Sequence, residues 1–156
     1  MCEYCGCQAV DAIAELTGEH DEVVALISHV RDAHARGDVA RMTELAGQIA
    51  RILGPHTAVE EQGLFPALVG DFPEHVAGLT DEHRRIEGVL AEAAGGGPTD
   101  PTWPGRFMDT LRLLRDHILA EQDGVFPAAL ATLTTADWNT VDDVRRQVHD
   151  STSHMR

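Results

Sequence analysis

The chain has 156 residues, 43% of them hydrophobic, with 12 basic against 26 acidic side chains and a formal net charge of −14. That is enough apolar content to bury one core without disulfides, and a charge that opposes binding to nucleic-acid phosphates or to an anionic membrane surface. All the basic residues are Arg, which excludes Schiff-base and other lysine-dependent catalysis, whereas nine His in so acidic a chain point to a metal, because imidazole is a common ligand and carboxylates supply oxygen donors beside it.

The first residues, Met1-Cys2-Glu3-Tyr4-Cys5-Gly6-Cys7, have no basic region and no apolar run, so they do not read as a secretory signal. No apolar stretch reaches the ~18 residues of a membrane span, and the expected location is cytoplasmic. All three Cys lie within this segment and cannot staple the fold. Their C-x-x-C-x-C spacing could hold a soft metal, form a reversible disulfide or bridge two chains, and Tyr4 beside them could approach a metal if the segment folds back; the default is a frayed terminus over 1–9.

From Gln8 to His34, Ile13, Leu16, Val23, Ile27 and Val30 form a helical stripe that stops near Arg36-Gly37-Asp38. Met42, Leu45, Ile49, Ile52 and Leu53 carry a second stripe, which runs on through His56 and Glu60 to Phe65-Pro66. A third helix is predicted from Glu74 to Ala94, closed by Gly95-Gly96-Gly97-Pro98. After a loop reaching Pro104, Phe107, Leu111, Leu114, Ile118 and Val125 mark a fourth, ending near Phe126-Pro127-Ala128. A fifth, shorter helix begins at a Thr134-Thr135 cap and carries Trp138, Val141, Val144 and Val148 on one side; that stripe could close a homodimer, but packing within a monomer is preferred. The expected fold is all-α: an antiparallel up-and-down four-helix bundle over 10–131, with an additional short C-terminal helix in 132–156.

The sequence repeats itself. Leu16-Thr17-Gly18-Glu19-His20 matches Leu79-Thr80-Asp81-Glu82-His83, 63 residues on, and His56 to Pro66 matches His117 to Pro127, 61 residues on. His56, Glu60, Gly63, Phe65 and Pro66 recur in register as His117, Glu121, Gly124, Phe126 and Pro127, so the bundle is expected to contain a pseudo-two-fold. Residues four apart share a helix face. His56 and Glu60 therefore lie together on the apolar side of their helix, as do His117 and Glu121, while His20 and His83 fall in phase with the core residues of theirs. A buried carboxylate must be protonated, paired or metal-bound, and helical bundles host di-metal sites in this manner. Imidazole and carboxylate without thiolate suit iron, and a pair of irons can pass two electrons to a bound oxygen species.

His20, His56-x-x-x-Glu60, His83 and His117-x-x-x-Glu121 together resemble the hemerythrin family of HHE cation-binding domains over residues 10 to 131. The resemblance implies a centre of two non-haem irons joined by an oxo or hydroxo bridge. In it Glu60 and Glu121 would bridge the irons, His20 and His56 would hold one, and His83 and His117 the other. The chain departs from the oxygen-carrying members, which have a second His four residues after the one on the third helix and a final H-x-x-x-x-D. Here Glu87 stands at that position, either as a replacement ligand or beside the ligands, and the final motif is H-x-x-x-E. The more open site this implies favours turnover of hydrogen peroxide or nitric oxide over dioxygen carriage. A sensor of dioxygen, nitric oxide, iron or redox state, an oxygen-binding protein without turnover, and an iron buffer are the alternatives.

The other five His (His29, His34, His75, His149 and His154) lack the carboxylate repeat and read as surface residues. Glu61, Gln122 and Asp123, about 100° round the helix per residue, read as the rim of the site or as outer partners of its ligands. Phe65 and Phe126 are expected to pack at its end, Pro66 and Pro127 to terminate their helices, and Gly63 and Gly124 to relieve the bend before each Pro.

Overall fold

A computed structural model describes residues 6–154, and all regular structure among them is helical. Helix α1 spans Cys7–Ala35. Gly37, at φ 66°, makes the reversal after it, and the Asp38 carboxylate accepts a hydrogen bond from the Arg41 amide at 3.0 Å to cap α2, Val39–Val59. Helix α3 covers Pro73–Ala91 and α4 covers Trp103–Ala120. Gly95, Gly96 and Gly97 all have positive φ in the connection between them, which explains the glycine run. Helix α5 spans Thr135–His154, opened by a reciprocal cap in which Asp137 N–H donates to Thr134 Oγ1 and Thr134 N–H donates to Asp137. At 20 residues it is not the short helix expected.

Neither α2 nor α4 ends at its Phe-Pro. Each passes without a break into one π-helical turn, Glu60–Leu64 and Glu121–Val125, and then into a further helical stretch, Phe65–Leu68 and Phe126–Thr132. The Phe65 amide bonds to Glu60 O and the Phe126 amide to Glu121 O, five residues back. Proline lacks an N–H and its ring collides with the carbonyl four residues earlier; widening the preceding turn accommodates it without stopping the helix.

Helix α1 packs on α2, α3 on α4, α2 on α3 and α1 on α4, giving a helical bundle; α5 lies against α1, α2 and the first π turn. One apolar cluster includes Val23, Ile27, Met42, Ile49, Trp103 and Phe107; a second includes Leu16, Leu64, Phe65, Leu79, Phe126 and Trp138. Trp103, assigned by sequence to a loop, is fully buried in the first turn of α4 and donates its indole N–H to Val89 O at 3.0 Å. His20 lies between Leu16 of one cluster and Val23 of the other, and His83 between Leu79 and Ile86. The polar residues thus form a waist between two apolar layers. Each fully buried Leu, Ile or Phe in those layers stabilises the fold by ~1.5–3 kcal/mol, enough in sum to offset the cost of a polar waist. No helix among the described residues is long and apolar enough to cross a membrane. Cys2, Tyr4 and Cys5 lie outside the described residues; Cys7 opens α1 and is exposed.

Candidate metal centre

The inward stripe of α1 carries His20, that of α2 His56, that of α3 His83 and that of α4 His117; all four are buried. Glu60 and Glu121, at the starts of the π turns, are 0% exposed. The donor atoms fall into two groups: His20, His56, Glu60 and Glu121, and Glu60, His83, His117 and Glu121, each with its atoms within 4.8 Å of one another. Glu60 turns Oε2 toward His56 Nε2 at 3.4 Å and Oε1 toward His83 Nε2 at 3.2 Å. Glu121 turns Oε1 toward His20 Nε2 at 2.9 Å and Oε2 toward His117 Nε2 at 3.2 Å. Each carboxylate therefore offers one oxygen to each pair of imidazoles.

An outer ring fixes the rings' orientation. His20 Nδ1 donates to Gln122 Oε1 at 3.0 Å, His56 Nδ1 to Glu19 Oε1 at 3.0 Å, and His83 Nδ1 to Glu61 Oε2 at 2.7 Å; Glu82 Oε1 stands 3.6 Å from His117 Nδ1. Phe126 stacks on the His20 ring and Phe65 on the His83 ring, at centroid separations of 5.5 and 5.7 Å. With Nδ1 donating outward, a neutral imidazole points its Nε2 lone pair into the centre, at carboxylate oxygens that also only accept. His83 Nε2 and His117 Nε2 meet at 3.0 Å. Both Glu60 oxygens and Glu121 Oε2 are buried without a hydrogen bond. Acceptors facing acceptors need a positive charge between them, as protons or as a metal cation.

In the metal-free protein that charge is protonic. Burial opposes protonation of His56, but Glu60, Glu121 and Glu19 outweigh it and hold its pKa well above the ordinary value. Burial likewise opposes, and neighbouring carboxylates overcome, an upward shift at His83 and His117. For Glu121 burial works against the charge, and contacts with Glu60 and with the His117, His20 and His56 imidazoles outweigh it, holding the carboxyl well below its usual range. A cation would replace the protons on the imidazoles. The donor set, imidazole and carboxylate without sulfur, fits a divalent or trivalent transition metal.

The six residues singled out by the repeat are thus brought together. Glu87 is not: it lies outside both groups, 47% exposed and paired with Arg84 at 2.8 Å. Glu61 and Gln122 hydrogen-bond the imidazoles directly, as outer partners of the ligands, whereas Asp123 is exposed. Glu19 and Glu82 were missed, although each immediately precedes a His of the repeat and recurs with it; that recurrence was the available signal. His29, His34, His75 and His149 are exposed, as expected, and the side chain of His154 lies outside what the structure describes. A cavity of about 10 Å³ beside the imidazoles is lined by Leu53, Thr57, Ile86, Leu114 and Ile118, with Glu87 at its edge.

The hemerythrin HHE cation binding domain matches the chain over residues 11–129. A curated relative from Nostoc sp. (strain PCC 7120), a DNA nickase, is 25% identical over 126 residues, which cover 78% of this chain and 35% of that protein. The chain spans about a third of the length of that relative. No solved structure matches it.

Proposed function

The chain belongs to the hemerythrin HHE cation-binding family, and from that premise we propose that it holds two non-haem iron ions and uses them to bind and decompose a small oxygen or nitrogen species, hydrogen peroxide or nitric oxide. His20 and His56 hold one ion, His83 and His117 the other, and Glu60 and Glu121 are shared. The observation that carries this reading is the two-sided presentation of both fully buried carboxylates, one oxygen toward each imidazole pair. The helices that supply these ligands, α1 to α4, run alternately up and down; the short connections and the neighbour packing support that arrangement.

When bound, the irons supply Lewis acidity and exchangeable electrons. The chain's own residues do the rest. Gln122, Glu19 and Glu61 hold the Nδ1 hydrogens outward, which leaves Nε2 as the ligand atom. Leu53, Ile86, Leu114 and Ile118 exclude bulk water, and a cavity of about 10 Å³ is close to the ~10–15 Å³ that one water needs, a size that favours dioxygen, peroxide or nitric oxide over any larger substrate. Thr57 also lines it and places a hydroxyl beside the imidazoles. With Glu87 turned to Arg84, both ions have equivalent sets of protein ligands, which favours open positions for turnover over the ligand set of the oxygen carriers. The Nostoc relative's name describes a protein more than twice as long; the net charge of −14 opposes carrying DNA over to this chain.

Iron content per chain, measured with the visible spectrum after iron-replete expression, tests the centre. About two irons per chain are expected, with loss of peroxide or nitric oxide in molar excess over protein. Zinc or no metal would overturn the di-iron reading, and a single stoichiometric spectral change without turnover would replace the enzyme by a sensor.

A further inference from the structure

The inner donors obey the internal repeat, but the outer ring breaks it at one position. Glu19 and Glu82 are equivalents, and both are carboxylates beside an imidazole Nδ1, His56 at 3.0 Å and His117 at 3.6 Å. Glu61 and Gln122 are also equivalents, 61 residues apart, and here the chemistry differs. His83 Nδ1 donates to a carboxylate at 2.7 Å, and His20 Nδ1 to a neutral amide oxygen at 3.0 Å. Glu61 is further clamped by an ion pair with Arg84, which Glu87 holds in turn at 2.8 Å. The repeat equivalents of Arg84 and Glu87 are Asp21 and Val24, so the clamp exists in one half only.

We propose that Glu61 makes the two metal positions inequivalent: the ion between His83 and His117 loads first and is held more tightly, and the ion between His20 and His56 is the one that exchanges. This rests on the dinuclear reading above. A carboxylate accepting the Nδ1 hydrogen makes the opposite nitrogen a stronger donor to a cation than an amide does, and such outer partners change metal affinity by roughly 10–100-fold. Arg84 does not cancel the effect. It is 53% exposed against 19% for Glu61, so water screens its charge, and Glu61 stands between it and the ring. His56 Nδ1 donates to Glu19 whereas His117 Nδ1 makes no hydrogen bond to Glu82, which acts the other way, but those two positions carry the same charge in both halves, so the added negative charge of Glu61 is what distinguishes the halves.

Stepwise titration of metal-free protein with cobalt(II), against a competing chelator, reads the two affinities. The wild type is expected to take up two ions in separated steps. His20→Ala should keep the tight step and His117→Ala only the weak one. Glu61→Gln should weaken the first step roughly tenfold and leave the second and the total unchanged, merging the two. Gln122→Glu should strengthen the second step, and the double swap, which conserves total charge, should reverse the order of loading. Two ions bound with one affinity, unmoved by Glu61→Gln, would overturn this inference and leave the dinuclear centre standing. Both steps weakened equally by Glu61→Gln would mean that Glu61 only supports the fold, and would also overturn it. Fewer than two ions bound by the wild type would overturn the dinuclear reading itself.

Discussion

Glu60 and Glu121 are fully buried carboxylates, each one helical turn beyond an imidazole on the same face, and neither makes sense without a positive charge beside it. The sequence showed this because the apolar stripes of α2 and α4 run straight through His56 and His117, so the following Glu had to turn inward. It did not show which outward partner meets which imidazole. Glu19, Glu82, Glu61 and Gln122 lie on the flanks of their helices and reach imidazoles of other helices, a pairing that depends on how the helices are set against one another. Because His56 and His117 are equivalent under the repeat and each donates to one group, His56→Ala and His117→Ala should each lower iron content by about one ion per chain at saturating iron, whatever the affinity of the ion that stays. Metal analysis of both variants checks this; a variant that kept full content would show that its His is no ligand.

Helices α1 to α4 and the start of α5 were legible to within about a turn, since 3.6-residue periodicity, the Gly37 and Gly95-Gly96-Gly97 stops and the Thr134 cap are local signals. Two local inferences failed. Pro66 and Pro127 do not end their helices, because the π turns before them absorb the ring. Gly63 and Gly124 do not share a role either. A Cβ at Gly63 would lie 3.2 Å from the Val141 Cα of α5, whereas one at Gly124 would meet nothing within 4 Å. Helix α5 covers only one of the two repeat-related faces; on the other, Gly124, Val125, Leu79 and Phe72 line a cleft of about 190 Å³. Gly63→Ala should therefore destabilise by ~1–3 kcal/mol by pushing on α5. Gly124→Ala should be neutral or stabilise by up to ~1 kcal/mol, through the better helix propensity of Ala. Thermal or urea denaturation of the two variants reads opposite signs; equal losses would refute the assigned role of Gly63.

For the molecule as a whole, the waist couples stability to pH and to metal. The raised His56, His83 and His117 values mean that, without metal, their contribution is complete below the ordinary imidazole value of 6.5 and is lost as pH rises through the folded values. Glu121, lowered from 4.5, contributes above that value and loses its contribution as pH falls. Metal-free protein should thus be most stable between about 4.5 and 6.5 and weaken toward alkaline pH. With metal the imidazole protons are displaced, so the loaded protein should hold its melting temperature as pH rises and the gap between the two forms should widen. Melting curves of both forms across this range check it, and a metal-free protein that grew more stable above neutral pH would show that the protons are not where the geometry requires them.

The sequence by itself determined the all-helical class, the family and the six inward residues, because periodicity, spacing and an internal repeat are one-dimensional properties that survive without coordinates. Only the tertiary structure decided which outer side chain meets which imidazole, that Glu87 turns to Arg84 rather than to the centre, and that α5 breaks the symmetry of the repeat. Except for the Arg84–Glu87 pair, which lies three residues apart within α3, these are contacts between helices distant in sequence, fixed by packing distance and helix rotation, and none of them is written in the local pattern of any one helix.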